Sequence, residues 1–187
     1  MKTRSGSDPG NDEGRALPLP ERHAPDKTVP ADPFQSLDIT GVGAFTHLAV
    51  HQGRIAAADI LGRDVVPADY TALPRVTFTD PEIGSVGLTE AAARDAGLAV
   101  NAGSAPASAS SRGFVHGPGN AGLIKLVVDT DRDLLVGATA AGPAGGEVLG
   151  MLALAVHARV PVTALRSMIF AYPTFHRGVL DALAALS

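Results

Sequence analysis

Two histidines, His47 and His51, stand four residues apart, a spacing that puts both imidazoles on one face of a helix. Such a pair binds a metal ion when a third carboxylate or imidazole joins it. No third donor is legible nearby, so packing and solvation are preferred and no metal is expected. Gly41-Val42-Gly43 begins like a dinucleotide-binding turn. The third glycine position of that pattern is Thr46, and no useful strand precedes it, so this reading is set aside. Glu147 sits where a helix first turn favours an acidic residue, which explains it without a site. Arg112, beside Gly113, is expected to be a surface loop charge. The chain has no cysteine, which removes disulfides, thiolate metal sites, cysteine nucleophiles and any dithiol redox pair.

The elements that would position these residues follow from composition and periodicity. The chain has 187 residues with 45% apolar side chains, enough to bury the core of one ordinary domain. Its 15 basic and 19 acidic side chains give a formal charge of −4, and no strong field draws it onto nucleic acid or anionic lipid. No apolar run reaches the roughly 20 residues of a bilayer span, and no secretory leader is legible, so the cytoplasm is the expected location. Residues 1–35 are rich in Pro, Gly and charge, too poor in aliphatic periodicity to fold, and are expected to be a disordered tail. Ala44 to Leu61 reads as an amphipathic helix through Phe45, Leu48, Ala49, Ile55, Ala56 and Ile60, with Gly62 at its stop. Val65 to Pro74 reads as a linker.

Beyond the linker, Arg75 to Thr79 and Ile83 to Leu88 read as extended pieces around an Asp80-Pro81 turn. Thr89-Glu90 opens an alanine-rich helix that stops at Gly97, and Leu98 to Val100 turns extended again. Ala102 to Ser111 stays ambiguous. Gly122 to Asp129 and Leu134 to Ala141 form a hairpin about Thr130-Asp131-Arg132-Asp133. Pro143 to Ala158 is a buried helix, Val162 to Ser167 a short turn of helix, and a last helix begins at Pro173, with an apolar face of Phe175, Val179, Leu180 and Leu183. Strands and helices are segregated, so the class is α+β with a mainly antiparallel sheet and helices packed on it.

Several segments, in order, resemble the end of the flavin-dependent pyridine nucleotide-disulfide oxidoreductases, the superfamily of glutathione reductase, lipoamide dehydrogenase and mercuric reductase. Val76-Thr77-Phe78-Thr79-Asp80-Pro81-Glu82-Ile83-Gly84-Ser85-Val86-Gly87-Leu88-Thr89-Glu90 looks like the opening of their interface domain. Gly122 to Asp129 with Leu135-Val136-Gly137-Ala138 looks like its central hairpin, Gly142-Pro143-Ala144-Gly145-Gly146-Glu147 like the start of the helix that follows. Tyr172-Pro173-Thr174 stands where the family usually shows His-Pro-Thr. Upstream, Asp38-Ile39-Thr40-Gly41 and Ala44-Phe45-Thr46-His47-Leu48-Ala49 resemble the last piece of the flavin domain. The segment before Asp38, Asp32-Pro33-Phe34-Gln35-Ser36-Leu37, departs from the family's strand.

The resemblance implies a fold and a site. Residues 36–64 would be a remnant of the flavin-binding domain and 73–187 the dimerisation domain, with FAD the cofactor of the full-length family. Asp38 and Thr46 would be its flavin contacts, a helix amino terminus there favouring negative charge on reduced flavin. In the family the His of His-Pro-Thr is acid/base for a thiol across the dimer, oriented by a glutamate three residues beyond Thr. Here those positions are Tyr172 and Arg177, a hydrogen-bond donor and a permanent cation, which point away from dithiol chemistry and toward an anionic or quinone-like substrate. His176 is a second candidate for the absent histidine; a helix histidine with no task is preferred. No phosphate-cradling turn for FAD or NAD(P)H and no thiol is legible. The chain is therefore expected to be an interface module, inactive alone and partnered as a homodimer or with a full-length relative. A truncated form of an active reductase and a free-standing dimerisation module remain the alternatives.

Overall fold

A computed structural model describes residues 41–186. Five strands form one sheet: β1 (Arg75–Thr77), β2 (Glu82–Gly87), β3 (Val100–Pro106), β4 (Leu123–Asp129) and β5 (Leu134–Gly142). Their spatial order is β1-β2-β5-β4-β3 and every neighbouring pair is antiparallel. Six α-helices accompany them among the described residues: α1 (Thr46–Ile60), α2 (Glu90–Asp95), α3 (Ser111–His116), α4 (Gly145–His157), α5 (Val162–Ser167) and α6 (Gly178–Ala184). The α+β reading with a mainly antiparallel sheet is what the chain adopts. The disordered tail expected over 1–35 lies outside the described residues.

The sheet's period of two sorts β4 between two faces. Ile124, Leu126 and Val128 enter the main core, where they meet Leu149 and Leu152 of α4, Leu165 of α5, and Val179 and Leu183 of α6. Lys125 and Val127 point to the opposite face. There Lys125 Nζ donates to Glu90 Oε2 at 2.6 Å, and Ala93 of α2 is fully buried. Glu90 also pairs with Arg94 one turn along. Hydrogen bonding from Lys125, then from Arg94, holds the Glu90 carboxyl below its ordinary value. Thr89 caps α2 by accepting from Ala92 N at 3.1 Å, which is why the helix begins at Glu90.

The β4–β5 hairpin forms as expected, with a register shift between Val127 and Val128. Asp133 sits at φ 55° in its turn, and its carboxylate reaches across to accept from Thr163 N at 3.2 Å and Thr163 Oγ1 at 2.7 Å, which caps the first turn of α5. Asp129, only 2% exposed, accepts from Asp131 N and pairs with Arg132.

Three elements differ from the expected ones. The ambiguous Ala/Ser stretch is strand β3, paired over its whole length with β4, followed by a short 3-10 turn Ala107–Ala109. Its composition has a packing reason: a Cβ at Gly103 would run into the Ala182 carbonyl and sit 2.9 Å from Leu186 N, so only small residues let α6 lie this close. Arg112 is not a loop charge; it belongs to α3, a helix that was not expected, whose Ser110 cap accepts from Gly113 N at 3.0 Å. Pro173 does not open the last helix. Thr174 does, its Oγ1 accepting from Arg177 N at 3.3 Å over a 3-10 turn Phe175–Arg177 that runs into α6.

Helix α1 follows the expected bounds, but its apolar face is only partly covered. Leu48 and Gln52 are its buried residues, whereas Ile60 is 60% exposed. It leans on the 65–74 linker: Gln52 Nε2 donates to the Tyr70 hydroxyl at 3.1 Å and His47 Nε2 lies 2.9 Å from the Pro74 carbonyl.

Candidate functional site

Of the expected site residues, Tyr172 and Arg177 are brought together. The Arg177 guanidinium lies over the Tyr172 ring, 5.5 Å from its centroid. The intervening turn makes this geometry: Thr174 Oγ1 donates to Ala171 O at 2.8 Å and accepts from Arg177 N, which folds residue 177 back over residue 172. Tyr172 is 68% exposed, so its phenol faces outward. His176, the alternative candidate, is half-buried in the same turn.

Sequence reasoning missed the partner of this turn. Helix α3 packs across it through Phe175, whose ring carries the Arg112 guanidinium at 5.6 Å and meets His116 edge-on at 5.7 Å. Arg112 and Arg177 therefore each lie on an aromatic ring, and both line one shallow surface depression with Ser110, Ser111, Tyr172, Pro173, Thr174 and Asp181. The approach of α3 depends on Gly113. A Cβ there would strike the Ala107 carbonyl and lie 2.9 Å from Ser108 Cα, both rigid backbone. The only signal in the sequence was Gly113 itself, inside a stretch without periodicity.

Phe114 is 85% exposed, Val115 60% and Ile169 95%, alongside Tyr172. Large apolar residues left this exposed are the kind that an association surface covers.

The sequence-expected flavin contacts fall elsewhere. Asp38 lies outside the described residues. Thr46 is the exposed first residue of α1, a helix with no capping side chain at Phe45 and no acidic residue in its first turn. That amino terminus suits an electron-rich acceptor such as a flavin carbonyl. The pyrophosphate end of FAD finds no such fit in the described residues. The glycine-rich turn between β5 and α4, Gly142-Pro143-Ala144-Gly145-Gly146, already holds an anion of its own. Glu82 Oε2 accepts from Gly146 N at 2.9 Å, so a carboxylate of β2 occupies the place where a phosphate would dock. His47 is engaged at the Pro74 carbonyl, and the described residues contain no cluster of three metal-donor side chains.

Comparison with known proteins agrees with this architecture. Residues 73–183 match the family model "Pyridine nucleotide-disulphide oxidoreductase, dimerisation domain". A dihydrolipoyl dehydrogenase of Thermus scotoductus is 38% identical over 149 residues, 80% of this chain and 32% of that protein. One from Halobacterium salinarum is 33% identical over 92% of this chain and 35% of its own length. Among solved structures, the HOCl-induced flavoprotein disulfide reductase RclA from Escherichia coli superposes with a TM-score of 0.73 at 25% identity, over 81% of this chain and 35% of that one. LpdA from Mycobacterium tuberculosis gives 0.71 at 25% identity, over 80% and 32%. The chain spans about a third of the length of the relatives it matches.

Proposed function

Because the chain belongs to the pyridine nucleotide-disulphide oxidoreductase family through its dimerisation domain, we propose that it acts as the subunit-interface domain of a flavin-dependent oxidoreductase. In this reading residues 73–187 pair with a second copy or a full-length relative, and 36–64 are the end of a flavin domain. The observation that carries it is the match of residues 73–183 to the dimerisation domain, and the exposed apolar side chains Phe114, Val115, Ile169 and Tyr172 support it. A two-fold axis there lets each copy offer the same patch to the other. The cytoplasm is the proposed location; no helix of the described residues is long and apolar enough to cross a membrane.

FAD, where bound, supplies the electron transfer. Thr46 and Asp38 are the proposed contacts of its isoalloxazine and ribityl parts, while Tyr172 and Arg177 stand where the family's acid/base pair would. Tyr172 offers a hydrogen bond and Arg177 a fixed positive charge, so this pair orients an anionic or quinone-like substrate better than it moves a thiol proton. With Glu82 filling the glycine-rich turn and no cysteine in the chain, we propose that the chain alone seats neither FAD nor NAD(P)H. Protein purified and offered FAD is then colourless after desalting, and sedimentation gives a dimer. Retained flavin absorbance overturns the first expectation, and a monomer at every concentration overturns the second.

A further inference from the structure

We propose that Arg112 is a positioning residue for the Tyr172–Arg177 pair: it grips Phe175 from helix α3 and so fixes the turn that lays the Arg177 guanidinium over the Tyr172 ring. This rests on the reading that the pair orients a substrate, and adds the element that holds the pair in place. Tyr172 is 68% exposed, and a cation over an exposed ring shifts the balance between stacked and free side chains by only about two- to fivefold. Thr174 Oγ1 donates to Ala171 O and accepts from Arg177 N, which shapes the turn, but both partners belong to the turn and do not fix it against the domain. On the amino-terminal side, residues 166–173 are exposed apart from Phe170, so Tyr172 has little to rest on before the turn. Phe175 is the first side chain after Tyr172 that packs against the core.

Two side chains of α3, one turn apart on the same helix face, bear on the Phe175 ring: Arg112, whose guanidinium lies 5.6 Å from the ring centroid, and His116, which meets it edge-on. Arg112 is half-buried and His116 exposed, which makes Arg112 the principal contact. A planar guanidinium stacked on an aromatic face holds a fixed plane. The setting of α3 is the reverse of what core burial alone selects. Its apolar residues Phe114 and Val115 are left 85% and 60% exposed, while its cation and its imidazole turn to the ring. The helix is itself anchored. Ser110 Oγ caps it on Gly113 N, Asn120 Nδ2 donates to Gly113 O at 3.0 Å, and Ala107 N, in the turn before it, donates to Gly122 O at 2.9 Å beside β4. Contacts therefore run from the sheet through α3 and Phe175 to the turn, and Arg177 is held over Tyr172 at the far end.

The test compares nuclear Overhauser effects between the Tyr172 ring protons and the Arg177 side chain in the full chain, labelled with ¹³C and ¹⁵N, and in its variants. Arg112→Gln removes the cation and is expected to weaken these effects about two- to fivefold, the factor one such contact supplies; Arg112→Lys, which keeps a cation, should fall between glutamine and parent. Phe175→Leu, which removes the ring and keeps an apolar body, should weaken them at least as much as Arg112→Gln. The β4–β5 resonances at their parent positions show that the fold is intact. Should Phe175→Leu move those resonances, the two Arg112 variants decide the matter, because Arg112 lies outside the core. Unchanged effects in Arg112→Gln overturn the proposal, as does a lysine variant no closer to the parent than the glutamine one. Failure of the reading it rests on shows separately: an anthraquinone sulfonate, an anionic quinone, that moves neither the Tyr172 nor the Arg177 resonances sinks the substrate-orienting role, whereas the comparison of variants needs no ligand and leaves the grip standing or fallen by itself.

Discussion

Glu82 is the side chain whose removal tests most directly how this fold is held together. It stands at the start of β2 opposite Gly142, and its Oε2 accepts from Gly146 N at 2.9 Å in the first turn of α4. That helix supplies Val148, Leu149, Leu152, Ala155 and Val156 to the core, so an ill-fixed first turn loosens the largest helix face on the sheet. Two contributions are separable. A side-chain oxygen on a first-turn N–H stabilises by about 0.5–2 kcal/mol, and a negative charge at the positive end of the helix dipole adds about 0.3–1 kcal/mol. Ala144, the residue before the helix, offers no side-chain cap, and Glu147 is the one acidic residue of the first turn, so Glu82 has no substitute for the hydrogen bond. Glu82→Ala is therefore expected to lower stability by about 1–2.5 kcal/mol, and Glu82→Gln, which keeps an acceptor and loses the charge, by about 0.3–1 kcal/mol. Urea unfolding of the full chain by far-ultraviolet circular dichroism measures both from the midpoints at constant slope. Equal midpoints for parent and alanine variant, or a glutamine variant weaker than the alanine one, would refute the assignment of Glu82 as the internal anion of the glycine-rich turn.

Gly113→Ala should displace α3, because the new Cβ meets Ala107 and Ser108 backbone; overpacking of about 1–3 kcal/mol outweighs the roughly 1 kcal/mol gain in helix propensity, and a midpoint at or above the parent's contradicts this. Leu152→Ala, at a fully buried position between α4 and the sheet, is expected to cost about 2–5 kcal/mol, whereas Leu154→Ala on the same helix, 63% exposed, should leave the urea midpoint within about 0.5 kcal/mol. For Glu90 the folded carboxyl titrates below its unfolded value, so its contribution is complete above the ordinary glutamate range and is lost as pH falls through the folded value. Stability of the parent should therefore decline more steeply than that of Glu90→Gln on acidification below that range, and parallel curves from thermal melts would remove Lys125 and Arg94 as the cause.

Much of the fold was legible because its signals are local. The β-branched alternation of Gly122 to Asp129 and Leu134 to Ala141, with four turn residues between, specifies a hairpin by itself. Thr89 before Glu90 announces a helix start through its hydroxyl, and the helix begins there. Strand β3 was not legible: Ala, Gly and Ser carry little strand preference, and they are present because the backbone of α6 lies against Gly103. Helix α3 escaped for a related reason, since six residues hold too few turns for a period to show. Of the site, the resemblance pointed to Tyr172 and Arg177, which do stack, but Arg112 looked like an ordinary surface charge until α3 carried it to Phe175.

By itself the sequence determined the class of the domain, the hairpin at its centre, the absence of sulfur chemistry in this chain and the segments that tie it to its family, because composition, period and turn chemistry act over a few residues. Only the tertiary structure decided that Glu82 reaches 64 residues along the chain to Gly146, that α6 presses on β3, and that two arginines 65 positions apart line one surface depression. Those contacts depend on how closely backbones approach once the sheet has closed, and residue order alone carries no measure of that distance.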